Sequence, residues 1–75
     1  VSADIRKILR LALQKNATTI VLAHNHPSGS VRPGREDDSL TRQLQEACKI
    51  MNIRLLDHLI LGGNRYYSYA DEGRL

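Results

Sequence analysis

A chain of 75 residues has room for one domain with a marginal core, since a fold this small buries only about 60 % of the surface its unfolded form exposes. Hydrophobic content of 41 % and charged content of 25 % are ordinary for a globular protein, and no run is long and apolar enough for a membrane span or a signal peptide. A net charge of +3 without Phe or Trp argues against a dedicated nucleic-acid surface, and the lone Cys48 fits a reducing, cytoplasmic setting.

The chain opens on Val1, and a helical pattern follows almost at once, which leads to the expectation of a chain truncated at its N-terminus, with upstream strands completing the sheet. Residues 3–16 read as an amphipathic helix. Ile5, Ile8, Leu9, Ala12 and Leu13 fall at i, i+3, i+4, i+7 and i+8 and so share one stripe. Ser2 suits the N-cap, Asp4 the first turn, where the helix dipole favours an acid, and Asn16 a left-handed stop. Arg6, Lys7, Arg10 and Lys15 share the polar side; a solvated face explains them, with a nucleic-acid contact as the alternative.

Residues 18–24, TTIVLAH, are rich in β-branched side chains and nearly all apolar, the pattern of a central strand covered on both faces. Residues 25–34, NHPSGSVRPG, form a loop by composition. Helical spacing returns over 35–52, with Leu40, Leu44, Ala47, Cys48 and Met51 on one face and Asn52 as the stop; Cys48 therefore reads as core. Residues 53–61, IRLLDHLIL, form a second apolar strand. Gly62, Gly63 and Asn64 then turn the chain, and 65–69 return as a hairpin partner with Tyr67 and Tyr69 on one face and Tyr66 on the other. The last six residues are polar and read as a loose tail.

The order helix-strand-helix-strand-strand predicts an α/β fold: a mixed sheet with flanking helices, a parallel pair joined by a right-handed crossover, and an antiparallel edge. A sheet cut short on its N-terminal side leaves an edge that recruits other chains, so dimerisation or edge pairing is expected.

The chemistry concentrates where the first strand meets the loop. His24 and His26 stand two apart, so in extended backbone both imidazoles point to one face, and Pro27 holds the chain extended there. Asp37 lies in the first turn of the second helix, and the intervening loop is long enough to fold its carboxylate back onto the histidines; Asp38 is a rival for that role. Two imidazoles and a carboxylate form a zinc set with an open fourth position for water, whose pKa the metal lowers to about 7. His58, beside Asp57 in the second strand, reads chiefly as a satisfied structural residue, with support of the metal ligands or a substrate contact as alternatives. The letters HNH are no nuclease signature, because in that motif the three residues are spread over a long ββα unit.

The stretch HNHPSGSVRPGREDDSLT resembles the RadC family of bacterial proteins, and LLDHLILGGNRYYSYADEG is similar to the same family's closing segment; together they cover almost the whole chain. RadC proteins look like members of the JAMM superfamily of zinc metalloproteases, which includes eukaryotic deubiquitinases. The resemblance implies a curved mixed sheet related to cytidine deaminases, and residues 1–75 as the C-terminal part of one such domain. It implies Zn2+ on His24, His26 and Asp37, favouring Asp37 over Asp38. It implies a hydrolase that cleaves peptide or isopeptide bonds of a protein substrate with a metal-activated water. The family name carries an association with DNA repair, and the alternative is a non-catalytic protein- or DNA-binding module.

Two departures from the family pattern stand out. The superfamily's general-base Glu lies upstream of the first histidine, where this chain has only Asp4. Its Ser three residues before the Asp, which helps hold the oxyanion, is Gly34 here, leaving a backbone N–H in its place and Ser28 as a substitute donor.

Overall fold

A computed structural model describes residues 4–75 as two helices and a three-stranded mixed sheet: α1 (Ile5–Gln14), β1 (Thr19–Asn25), α2 (Arg35–Ile50), β2 (Arg54–Gly62) and β3 (Arg65–Ser68). The sheet order is β1-β2-β3, with β1 and β2 parallel and β2 and β3 antiparallel. This is the predicted α/β architecture and element order. Among the described residues no helix is long and apolar enough to cross a membrane.

Both helices end by the same device. Asn16 (φ 52°) and Asn52 (φ 58°) adopt the left-handed conformation, and the next N–H, of Ala17 or Ile53, reaches back to the carbonyl of Ala12 or Cys48 at 2.8 Å. Those bonds satisfy carbonyls the last turn would otherwise orphan, and asparagine tolerates the positive φ they require. The start of α1 differs from expectation. Ser2 lies outside the described residues, and Asp4 is itself the N-cap, its carboxylate accepting the Arg6 N–H at 2.9 Å. A short acid at that position satisfies an orphan donor directly, beyond any dipole effect.

The core lies where α1, α2 and the sheet meet: Ala12, Leu44, Cys48, Ile53 and Leu55 are buried, with Ile5, Ile8, Leu9, Ile20 and Leu22 packed around them. Leu13 and Met51, placed on the apolar stripes by spacing, remain 49 % and 40 % exposed, at the ends of their helices where less packs against them. Thr41, a polar residue, takes a buried place on α2 instead.

The prediction of β1 as a central strand fails among the described residues. It pairs only with β2, and Ile20, Leu22 and His24 turn to the helices while Val21 stays 51 % exposed. A wholly apolar run signals two dry faces but does not say what covers the second. The tail is not loose. Arg74 donates to Asp38 and to the Tyr67 hydroxyl, its N–H reaches the Tyr69 carbonyl, and Leu75 packs against the core.

Candidate metal centre

β1 delivers His24 as its penultimate residue and His26 just past its end, where the His26 N–H still bonds the Leu61 carbonyl of β2 at 2.8 Å. That bond extends the sheet geometry through both histidines, so the i, i+2 rule holds and both rings lean to one side. The loop then folds back and Gly34 opens α2 as its N-cap, in extended backbone with φ −95° and ψ 177°. Its N–H donates to Asp37 Oδ2 at 2.7 Å. This is the return half of a capping box; glycine has no side chain to supply the other half. The bond turns the Asp37 carboxylate toward the histidines and also occupies the Gly34 N–H.

Three side chains converge as a result. His24 Nε2 lies 2.9 Å from Asp37 Oδ1, His26 Nε2 lies 3.3 Å from Asp37 Oδ2, and the two Nε2 atoms are 3.1 Å apart. Ligands at about 2.05 Å from a tetrahedral zinc stand roughly 3.3 Å from one another, close to these separations, so the set suits an ion of that kind. All three side chains are partly exposed, which leaves an open side. Among the described residues this is the one group of three or more metal-ligating side chains within such reach. His26 Nδ1 lies 2.9 Å from the Ser30 carbonyl, which can only accept. The proton of neutral His26 therefore sits on Nδ1, and the Nε2 lone pair faces the other two ligands.

Asp38, the rival acid, turns away: its Oδ1 accepts from the Tyr69 hydroxyl and from Arg74, both at 2.7 Å. Adjacent side chains on a helix diverge, and here the divergence sends one carboxylate to the histidines and the other to the C-terminal turn. Ser28 Oγ accepts the Ser30 N–H at 3.3 Å and so serves the loop's own turn. Glu36 is exposed at the start of α2.

His58 is fully buried, and its Nε2 lies 3.0 Å from His24 Nδ1. Burial, and then the neighbouring His24, push its imidazole below the ordinary value of 6.5, so it is neutral at pH 7. Of the three readings for this residue (a structural one, one supporting the ligands, and a substrate contact), full burial speaks against the last and the contact with the His24 ring favours the second.

Gly62, which the sequence marks only as part of a turn, is buried at the end of β2. A Cβ there would stand 2.6 Å from the Gly29 carbonyl oxygen and 3.0 Å from Val31 Cγ1. Only glycine lets the histidine loop lie this close to the sheet. Arg65 adds a bond to the same carbonyl at 3.3 Å.

The profile of the RadC-like JAB domain matches residues 1–74. A UPF0758 protein of Streptococcus gordonii is 54 % identical over 70 residues, covering 93 % of this chain and 31 % of the relative. Another, from Porphyromonas gingivalis, is 51 % identical over 75 residues, covering 99 % of this chain and 33 % of the relative. A third, from a Janthinobacterium, is 47 % identical over 70 residues. The chain thus spans about a third of the length of the curated relatives it matches. The profile match runs through the histidine pair, the capped aspartate and the closing hairpin alike, and the chain belongs to the RadC-like JAB domain family.

Proposed function

We propose that this chain carries the metal-binding part of a zinc-dependent hydrolase domain of the JAMM type, one that cleaves a peptide or isopeptide bond in a protein substrate. The observation that supports this most is the convergence of His24 Nε2, His26 Nε2 and the Asp37 carboxylate at 2.9–3.3 Å. Three acceptors so close repel one another unless a cation or a proton lies among them. Three protein ligands leave a fourth position open, as in catalytic rather than structural zinc sites. When bound, zinc supplies Lewis acidity, lowering the pKa of a coordinated water to about 7 and polarising a carbonyl.

The chain's own residues position this site. Asp37 is held by the Gly34 N–H, and His26 by the Ser30 carbonyl. Asp4, Asp38 and His58 are each engaged elsewhere and are not free to accept the reaction's proton. Asp4 caps α1, Asp38 is held by Tyr69 and Arg74, and both His58 nitrogens are engaged. In this reading the general base comes from a part of the protein outside these 75 residues, and the chain by itself turns over no substrate. An alternative, a non-catalytic DNA-binding module linked to repair, draws on the exposed basic residues Arg6, Lys7 and Arg10 of α1. Asp4, 3.7 Å from Arg6, weakens that face.

Elemental analysis and competitive titration test the metal. About one zinc per chain is expected, lost in Asp37→Ala and kept in Asp38→Ala. Turnover of an isopeptide-linked substrate by a longer protein that includes this chain should then vanish in Asp37→Ala. Zinc retained by Asp37→Ala, or turnover that survives chelation, would sink the reading.

A further inference from the structure

We infer that Thr41 and His58 form a positioning relay that fixes the tautomer of His24, so that a lone pair and not an N–H faces the ligand cluster. The purpose of the relay rests on the zinc reading above; the direction of its hydrogen bonds does not.

The argument starts from the Asp37 backbone carbonyl, which can only accept. Thr41 Oγ1 lies 2.7 Å from it and donates its single proton there. The same Oγ1 lies 2.5 Å from His58 Nδ1. Its proton is already committed, so the hydroxyl accepts, and the His58 proton sits on Nδ1. Neutral His58 then has a bare Nε2, and that atom lies 3.0 Å from His24 Nδ1. His24 must donate from Nδ1, which leaves its Nε2 bare toward Asp37 Oδ1 at 2.9 Å. The direction set at one backbone carbonyl thus passes through two side chains to a ligand atom. It ends at the carboxylate of Asp37, the residue where it began. His26 reaches the same protonation by its separate bond to Ser30.

The opposite direction would put a proton on His24 Nε2, where a metal would have to displace it. The relay has little room to reverse by rotation. Thr41 is 3 % exposed and His58 0 %, and the Tyr69 ring stacks on His58 at 4.8 Å with an interplanar angle of 4°. Partners of this kind typically raise metal affinity by about 10- to 100-fold.

The test begins with long-range proton–nitrogen NMR of the zinc-free chain at pH 8, which reads each ring's tautomer. Both His58 and His24 should carry their protons on Nδ1. In Thr41→Val, which keeps the shape and removes the acceptor, that assignment should be lost and the zinc Kd should rise by about 10- to 100-fold. Thr41→Ser should restore both. A proton on Nε2 of His58, or no proton on Nδ1 of His24, in the unsubstituted chain would overturn the relay, as would Thr41→Val with unchanged tautomers and affinity. Tautomers as assigned in a chain that takes up no zinc would uphold the relay and remove the zinc reading.

Discussion

Replacing Asp57 by alanine removes three hydrogen bonds at once. Its Oδ1 accepts the His58 N–H at 2.7 Å and the Ala70 N–H at 3.0 Å, and its Oδ2 accepts the Ser68 hydroxyl at 2.5 Å. At about 1 kcal/mol net for each bond of a half-buried group, the loss is about 3 kcal/mol. A 75-residue domain has roughly 4–11 kcal/mol in total, so the fraction is large. In urea, with a slope of about 1 kcal/mol/M, the unfolding midpoint should fall by about 3 M. Asp57→Asn keeps an acceptor for the two backbone donors and should lose about 1 kcal/mol.

The acid limb gives an independent reading of the same carboxylate. Burial alone would raise its pKa, but the bonds from Ser68, Ala70 and His58 outweigh this and hold it below the ordinary 3.8. As pH falls through 3.8 the unfolded chain therefore takes the proton first. Stability present above that value is lost below it, and Asp57→Ala should lack this part of the acid transition. Urea midpoints followed by circular dichroism from pH 7 to 2.5 provide the assay. A shift in Asp57→Ala of less than about 0.5 M, or an acid limb parallel to that of the unsubstituted chain, would refute the reasoning.

Gly62→Ala should push the histidine loop off the sheet, since the nearest atoms, at 2.6 and 2.9 Å from the added carbon, are backbone of Gly29; zinc titration should show weaker binding while the helical circular dichroism persists. Gly34→Ser should be accepted without clash, the nearest atom to its Cβ being Asp37 Oδ2 at 3.6 Å. It should raise the melting temperature by about 1–2 °C, as expected for a few tenths of a kcal/mol at an N-cap. The edge of β1 that faces away from β2 has no strand partner among the described residues. Sedimentation of the chain should therefore show pairing that grows with concentration, and a dispersed monomer at high concentration would count against it.

Local signals carried most of the fold. The two asparagine stops were legible because a few adjacent residues decide them. The stripe from Ile5 to Ala12 was legible because helical spacing alone selects it. The tail was not, because its anchor, Asp38, lies 36 residues before Arg74 in sequence and nothing local announces the contact. That β1 pairs on one side only among the described residues was hidden for a similar reason: its composition reports burial averaged over partners that the run itself does not contain. At the site, the alternation of His24 and His26 pointed to a shared face. Asp37 could not be separated from Asp38 by spacing, and the family resemblance chose between them. In the structure the separation is a matter of three contacts, the Gly34 N–H on one carboxylate and Tyr69 and Arg74 on the other.

His58 is the residue whose role strict strand alternation would have misread. Ile53 and Leu55 are buried, so a period of two puts residue 57 inward and His58 outward. The observed sequence of buried positions runs 53, 55, 58, 60, because β2 carries one extra residue where Ile20 pairs with Leu55 and Val21 with Asp57. A bulge of this kind flips the phase of everything after it. It turns His58 under α2, against Thr41 and behind His24, and leaves Leu56 45 % exposed. Asp57 then accepts the His58 N–H and ties the bulge to the turn after β3. The sequence signal, in hindsight, is the acid inside an otherwise apolar strand. A carboxylate between Leu56 and His58 has no place on a regular buried ladder, and it marks the point where the ladder slips. The slip connects the closing hairpin to the ligand cluster. Without it, His58 would face away from α2, Thr41 would have no ring to orient, and His24 would choose its tautomer with solvent.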